Sequence, residues 1–402
     1  MLGVLGAANL IDNYDVGVMG LALPQIQAGL RVAEADIGAL TAVVRMGVIP
    51  AIFLSVVADR TGRRRLLLLT ILSFTVCTFL TAFARSAAEF VALQFLARIF
   101  IAAEGMLAVV VIIEEFDADT RGWGIGMLGA LGAMGHGLAS IVFSVVNQLP
   151  FGWRALYVVG VVPLLLVAWF RRTLSETRRF EHHRDTRPVE AGLRAAVRPF
   201  RNLASMYPGR IVALCAALLP VAFVFETTTL FASKFLQQVH EYSPADVALM
   251  YLTIGVLAPI GNVIAGSWAD RFGRKRVMIA GLFANGGAVA LFYHAAGAVV
   301  PVAWGLMVMT LTMVMVLFAA LGGELFPTSY RSTASGVRAV VATLGAALGL
   351  WTEGQLYGIV GSHATAITLM LVATPIAPVV IALFLPETAT RDLDDVSPER
   401  VL

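Results

Sequence analysis

Apolar stretches long enough to cross a lipid bilayer follow one another along almost the whole of this 402-residue chain. A membrane-spanning helix needs about 20 mostly apolar residues, and turns rich in Pro, Gly and charge divide the sequence into twelve such stretches. The composition agrees, since 58% of the residues are hydrophobic and only 14% are charged. Because backbone groups in lipid must be satisfied within a helix, the sequence predicts an all-α integral membrane protein.

The twelve predicted helices fall into two sets of six. The first set covers residues 2–23, 37–57, 66–84, 89–113, 123–146 and 155–170. The second covers residues 210–232, 245–267, 277–297, 300–323, 332–357 and 363–385. The predicted organisation is therefore an N-terminal six-helix bundle (1–170), an arginine-rich linker (171–208), a C-terminal six-helix bundle (209–385) and a tail (386–402).

One loop sequence occurs twice, at matching places in the two sets. Ala58 to Arg65 reads ADRTGRRR, and 211 positions later Ala269 to Arg276 reads ADRFGRKR. Each copy lies between the second and third predicted helices of its half. A loop repeated in register indicates an internal duplication, so the two bundles are predicted to be pseudo-symmetric.

The distribution of basic residues predicts the orientation in the membrane. With these spans, and with Arg210 at the boundary of helix seven counted in the linker, the even-numbered connections and the tail hold 22 of the 29 Arg and Lys residues. The odd-numbered connections hold four: Arg31, Arg85, Arg154 and Lys234. Because basic loops stay in the cytoplasm, both termini are predicted to be cytoplasmic. Basic loops beside helices also explain the net charge of +3, so no nucleic-acid partner is expected.

Further acidic motifs recur with the loop. Each half carries a glutamate seven residues before an arginine, and each half ends in an acidic signature; the pairs are Glu114/Arg121 and Glu324/Arg331, and the signatures contain Glu176 and Glu387. Together these motifs resemble the major facilitator superfamily over essentially the whole chain, in particular its sugar-porter and metabolite–proton symporter branch. The resemblance implies the major facilitator fold, a monomer in the bacterial inner membrane, and alternating access for a small-molecule substrate.

In that family the loop charges form a network between helices that closes the cytoplasmic end of the outward-facing state. Carried over to this sequence, the gate residues are Asp59, Arg60, Gly62, Arg63, Glu114, Arg121, Glu176, Asp270, Arg271, Gly273, Arg274, Glu324, Arg331 and Glu387. Glycine permits the tight turn, and the carboxylates can cap helix ends or pair with arginine. The alternative is that the arginines only set the topology, which applies most to Arg64, Arg65 and Arg276.

Charges inside the apolar stretches are candidate functional groups, because each costs about 2.5–3.5 kcal/mol in a membrane unless it is paired or hydrated. Helix one carries Asp12 and Asp15, three residues apart on one face. This element is similar to one in organic-acid and aromatic-acid symporters, and Arg98 stands where the sugar-porter branch has a buried arginine. The resemblance therefore implies that Asp15 and Arg98 couple transport to protons. Asp12 is an alternative proton carrier, and a static Asp15–Arg98 pair is the structural alternative.

Four further buried groups are candidates for substrate binding: Glu226, His136, Glu353 and Glu104. The offset of the repeated loop places Glu226 at the position equivalent to Asp15, beside three threonines in helix seven. A different reading makes Glu226 partly hydrated near the outer end of that helix, with Lys234 as its partner. His136 can titrate near neutral pH, but it can also be a packed polar residue in a glycine-rich helix.

Helix five contains Gly126, Gly129, Gly132 and Gly135 at every third position, which predicts a smooth face for close helix packing. This helix lacks the proline of the drug-antiporter signature, and helix seven lacks the paired glutamines of sugar porters. The sequence therefore favours proton-coupled symport of an organic acid, with a proton-driven exporter of drugs or amphipathic metabolites as the alternative. An enzyme, a cofactor and a metal site are not expected; the expected partners are the substrate, protons and the lipid bilayer.

Overall fold

The computed structural model describes residues 2–61, 63–116, 120–171, 193–327 and 330–389, and all regular secondary structure in these residues is helical. The first half contains eight helices: α1 Leu2–Leu21, α2 Leu23–Leu30, α3 Asp36–Met46, α4 Val48–Thr61, α5 Arg63–Thr81, α6 Ala87–Glu115, α7 Arg121–Phe143 and α8 Trp153–Arg171. The second half begins with α9 Leu193–Met206 and continues with α10 Pro208–Val239, α11 Pro244–Thr253, α12 Leu257–Phe272, α13 Arg274–His294, α14 Val299–Glu324, α15 Arg331–Val360, α16 His363–Met370 and α17 Ile376–Phe384.

These helices account for twelve membrane-spanning segments. Nine stretches of the described chain are long and apolar enough to cross a membrane, and two shorter apolar helices, Arg65–Thr81 and Trp153–Pro163, match the predicted third and sixth segments. Helix α1, with 20 residues and both candidate aspartates, is the first segment. The twelve-helix, all-α prediction is confirmed.

Some predicted segments are broken into two helices, and the breaks coincide with glycine and proline. Segment two divides into α3 and α4 at Gly47, segment eight divides around Gly255, and segment twelve divides before Pro375. Glycine weakens a helix and proline removes a backbone donor. The predicted spans treated each segment as continuous, because hydropathy alone does not respond to these local interruptions.

Segment seven is longer than predicted. Helix α10 runs to Val239, seven residues past the predicted end at position 232, and it includes Lys234, which is only 1% exposed. The prediction that Lys234 lies in an outer connection was therefore wrong. A lysine usually marks the end of an apolar helix, but Lys234 has partners inside the protein, Gln27 and Glu34.

The described chain divides into two compact units. The first contains Met1–Val189 and Leu230–Tyr251, and the second contains Glu190–Thr229 and Leu252–Leu402. Helix α10 therefore contributes its first part to the second unit and its last part to the first. In the first unit, α1 packs along α7 and α8, α5 packs on α6 and α8, and α3 and α4 pack on α6.

Glycine sets the distance between α1 and α7. A β-carbon on Gly135 would overlap the carbonyl oxygen of Leu10, and one on Gly132 would lie 2.6 Å from Asn9 Nδ2. At Gly126 and Gly129 no atom of the described residues lies within 4 Å of the position that a β-carbon would occupy. The predicted four-glycine face is therefore correct for Gly132 and Gly135 only. Because a helix turns by 100° per residue, positions three apart drift around the axis and cannot all face one neighbour.

The second unit repeats this packing between α10 and α15. A β-carbon on Gly349 would overlap the carbonyl oxygen of Phe223, and one on Gly345 would lie 2.7 Å from the oxygen of Leu219. Elsewhere in this unit α14 packs on α12 and α13, and the amphipathic helix α9 packs on α15. Its Phe200 ring lies against Gly336.

Candidate functional site

Asp15 is buried in the first unit, with 3% of its surface exposed. Its Oδ1 accepts a hydrogen bond from the Thr78 hydroxyl of α5 at 3.2 Å. Arg98 of α6 lies close enough to interact electrostatically with this carboxyl group. The structure therefore brings together the two residues that the sequence named as the coupling pair, on neighbouring helices of one unit.

Helix α1 is fixed to two neighbouring helices by hydrogen bonds from residues close to Asp15. The Tyr14 hydroxyl donates to the Leu156 carbonyl oxygen of α8 at 2.8 Å, and Asn9 Nδ2 donates to the Leu128 carbonyl oxygen of α7 at 2.7 Å. Buried hydrogen bonds of this kind specify one position for a helix. The Asp15 carboxyl group is thereby held at a defined place relative to α5 and α6.

Arg98 is positioned by close packing between α6 and the α3–α4 break. A β-carbon on Gly47 would lie 2.6 Å from the Phe95 carbonyl oxygen and 3.0 Å from Cβ of Arg98. Only glycine fits here without displacing α6. Gly47 was not among the predicted site residues. The sequence nevertheless signals a helix break here, because a proline follows Gly47 three positions later inside an apolar span.

His136 lies on the same face of the first unit as this pair. Its ring is 3.6 Å from the point that a β-carbon on Gly17 of α1 would occupy, and it interacts electrostatically with Arg98. Its surface is nevertheless exposed. The structure therefore places His136 near α1 and within electrostatic reach of Arg98, while its predicted role in substrate binding stays a prediction.

Asp12 and Glu104 are also buried in the first unit, at 3% and 1% exposure. With Asp15 they make three carboxyl groups at buried positions of two helices. The same unit has an apolar pocket near its α1–α2 break, lined by side chains including Met19, Leu23 and Phe90. None of the three carboxyl groups lines this pocket.

The second unit contains the other two substrate-binding candidates. Glu226 is partly buried on α10, and Glu353 is fully buried on α15, next to His363. In this unit Gly349 of α15 contacts Phe223 of α10 closely, as Gly135 of α7 contacts Leu10 of α1 in the first unit.

Glu226 is a polar group on α10 in the described structure. Its equivalence with Asp15, which rests on the 211-residue offset of the repeated loop, stays a prediction.

A polar cluster joins the end of α10 to α1 and α2 within the first unit. Lys234 Nζ donates to Gln27 Oε1 and forms a 2.7 Å ion pair with Glu34. Gln25 Nε2 donates to Gln237 Oε1 at 2.6 Å. The sequence analysis did not identify this cluster, although Gln25 and Gln237 are 212 residues apart, close to the repeat offset. Just beyond it, burial lowers the pKa of His240.

The predicted gate residues of the second half are mostly brought together. Arg274 Nε lies 2.7 Å from both carboxylate oxygens of Glu324, and its Nη1 lies 2.9 Å from Asp270. The Glu387 carboxylate accepts the backbone N–H groups of Arg274 and Lys275 at the start of α13, at 2.9 and 3.2 Å. This cluster ties together the end of α12, the start of α13, the end of α14 and the segment after α17.

Gly273 has a positive φ of 96° at the turn between α12 and α13. A β-carbon here would lie 2.7 Å from Glu387 Oε2, so glycine meets both the backbone and the space requirement. Arg271 and Arg331 lie beside the cluster. Arg271 is exposed over the Phe272 ring, and Arg331 Nε donates to the Phe326 carbonyl oxygen at 3.4 Å.

The first-half gate residues lie outside the described part of the chain. This applies to Gly62 and Glu176 altogether, and to the side chains of Asp59, Arg60, Arg63, Glu114 and Arg121. Their predicted role in a gate stays a prediction.

Arg274→Ala is expected to lower the free energy of unfolding by about 1–3 kcal/mol, because it leaves the semi-buried Glu324 carboxylate without its charged partner. Arg271→Ala, three residues earlier and exposed, is the matched control and is expected to change stability by less than about 0.5 kcal/mol. Thermal unfolding of both purified variants measures the difference. Equal effects of the two substitutions would show that the cluster adds no stability.

The chain is similar in sequence to a known protein family and to known transporters. The model of the Major Facilitator Superfamily matches residues 5–261 and 221–400 of the chain. A probable 4-methylmuconolactone transporter of Cupriavidus pinatubonensis is 25% identical over 348 residues, covering 81% of this chain and 76% of that protein. A putative niacin/nicotinamide transporter of Bacillus subtilis is 23% identical over 407 residues, covering 98% of this chain and 97% of that protein.

Among solved structures, the inward-open xylose transporter of Escherichia coli superposes with a TM-score of 0.76 and covers 98% of both chains at 19% identity. A likeness at this identity shows the fold alone. It matches the twelve-segment, all-α architecture built from the helices above.

Proposed function

Because this chain belongs to the Major Facilitator Superfamily and is a multi-pass membrane transporter of small molecules, we propose that it moves a small organic acid across the membrane together with a proton. The observation that carries the proposal is the buried Asp15 carboxyl group beside Arg98 in the first unit. A bacterial inner membrane with both termini in the cytoplasm is the expected setting.

The proposal follows from charge balance at this pair. An ionised Asp15 beside Arg98 has no net charge, which is the arrangement that a partly dry site tolerates best. If only a carboxylate substrate entered, the site would carry an extra negative charge. If only a proton entered, Arg98 would be left with an uncompensated positive charge.

Binding both together keeps the site neutral. A proton on Asp15 releases Arg98 from its carboxylate partner, and the guanidinium group then pairs with the carboxylate of the substrate. Each ligand removes the electrostatic cost of the other, so the site favours the empty and the doubly occupied states. This is the thermodynamic requirement for coupling a proton to a substrate.

The charge of Arg98 suits a substrate that carries a carboxylate. His136, which interacts electrostatically with Arg98, adds a ring with hydrogen-bonding nitrogens. The names of the relatives support the same class, since niacin is a pyridine carboxylic acid and 4-methylmuconolactone is a small oxygenated ring. We therefore assign a small cyclic or aromatic carboxylic acid as the substrate, and alternating access as the mechanism.

Uptake into proteoliposomes under an imposed pH gradient tests the proposal. The protein is expected to accumulate one or more members of a panel of labelled aromatic and cyclic carboxylic acids, and neither sugars nor cationic drugs. A monocarboxylate taken up with one proton moves no net charge, so a potential set with potassium and valinomycin should not change its accumulation. Outward drug flux without acid uptake would contradict the proposal and support the exporter alternative.

A further inference from the structure

Glu353 is a fully buried carboxyl group near the end of α15, with 0% exposure. Its Oε1 lies 2.5 Å from Nδ1 of His363, the first residue of α16, and the His363 side chain is 13% exposed. Its Oε2 is buried and has no hydrogen-bond partner among the described residues. The charge balance at Asp15 and Arg98 does not use this second pair, which belongs to the other unit.

The His363 ring is held in place from two sides. Tyr357 stacks on it with a ring separation of 4.2 Å and an interplanar angle of 26°. Ser362 caps α16 by accepting the backbone N–H of Thr365 at 3.3 Å. The ring therefore lies between the buried Glu353 and the turn at 361–362, and its Nδ1 contacts the carboxyl group of Glu353.

Other titratable groups of the described residues lie on the helices around this pair. Because α10 and α15 run parallel with Gly349 at Phe223, Thr227 and its neighbour Glu226 stand at the level of Glu353. From α13, Tyr293 donates to the Thr228 carbonyl oxygen, and His294 bonds to Thr368 of α16. From α14, no charged residue occurs between positions 299 and 323. Along α15, Arg338 is fifteen residues before Glu353, which places it about 22 Å away.

The charge of the pair follows from this environment. An ionised Glu353 with a neutral imidazole has a net charge of −1 at a buried position, which is costly without a further cation. One more proton makes the pair neutral, either as an ion pair or as a carboxylic acid beside a neutral ring. The unpartnered Oε2 favours the carboxylic acid beside a neutral ring, since an unsatisfied buried oxygen costs more free energy on a carboxylate than on a neutral acid.

We propose that Glu353 and His363 form a proton-binding site in the second unit, which takes up one proton from water through the partly exposed imidazole ring. The proton is carried by Oε1 of Glu353, which donates it in a hydrogen bond to Nδ1 of His363. The sequence places the 361–362 turn in an odd-numbered connection, so the site receives its proton from the outer side of the membrane. This site is separate from Asp15 and does not depend on the proposed substrate.

Infrared difference spectra of the full-length protein in lipid, recorded while the pH is stepped from about 9 to about 5, test the site without any substrate. The wild type is expected to show a carboxylic-acid C=O band that is missing from Glu353→Gln. His363→Gln removes the hydrogen-bond partner of the acid and is expected to change the pH at which this band appears. His294→Gln, a second histidine of the same unit, is the control and should leave the band unchanged.

Identical spectra of wild type and Glu353→Gln would overturn the proposal, because the carboxyl group would then carry no exchangeable proton. If Glu353→Gln does not fold, the His363→Gln variant decides. A change in the pH at which the band appears supports a proton held between Glu353 and His363, and an unchanged pH contradicts it. Since no substrate is present, failure of acid uptake and failure of this proton site are separate results.

Discussion

Asp15→Asn is expected to abolish accumulation of the substrate driven by a pH gradient, while exchange of labelled for unlabelled substrate stays measurable. The amide keeps the size of the side chain and can still contact Thr78, but it cannot bind and release a proton. A gradient of one pH unit supplies about 1.4 kcal/mol per proton, enough for about tenfold accumulation by a one-proton symporter. The variant should reach an internal concentration equal to the external one.

Two further variants locate the proton carrier. Asp36→Asn removes an exposed carboxyl group at the start of α3 and should accumulate substrate as the wild type does. Asp12→Asn tests the alternative carrier three residues away on the same helix. Full accumulation by Asp15→Asn together with loss in Asp12→Asn would transfer the coupling role to Asp12, and full accumulation by both would end the proposal for α1.

The parts of this molecule that depend on composition and spacing could be predicted from the sequence. Twelve segments follow from hydropathy, since lipid allows no other way to satisfy the backbone. Asp15 and Arg98 could be found because an ionisable residue in an apolar span is rare and needs a partner. The cluster around Arg274 could be found because its members recur in motifs of fixed spacing.

The parts of the molecule that depend on contacts between distant residues could not be predicted from the sequence. Lys234 resembles a loop residue until Gln27 and Glu34 are known to lie beside it. The spacing of the glycines in α7 does not reveal which of them face α1, since that depends on how the helix is rotated.

These two kinds of residue have different consequences for function. The groups proposed to bind the proton and the substrate would act through charge, so their replacement is expected to change transport while the bundle persists. The glycines act through the distance between helices, and the position of Asp15 depends on them because α1 is packed directly against α7. A change at the helix contact should therefore affect stability first and transport as a result.

Gly135→Val is expected to destabilise the protein by about 1–3 kcal/mol or more, because the added side chain overlaps the Leu10 carbonyl oxygen and must push α1 away from α7. Gly129→Val, two turns earlier on the same helix and facing open space, is the matched control. Both substitutions make the same change in helix propensity, so the difference in unfolding temperature between the purified variants reports packing alone.

The internal repeat predicts the same contrast in the second unit. Gly349→Val should be destabilising for the same reason at Phe223, whereas Gly358→Val, which faces open space on α15, should be tolerated. Each kcal/mol corresponds to a shift of about 2–4 °C in unfolding temperature for a unit of this size. Loss of stability in Gly135→Val but not in Gly349→Val would show that the two contacts are not equivalent.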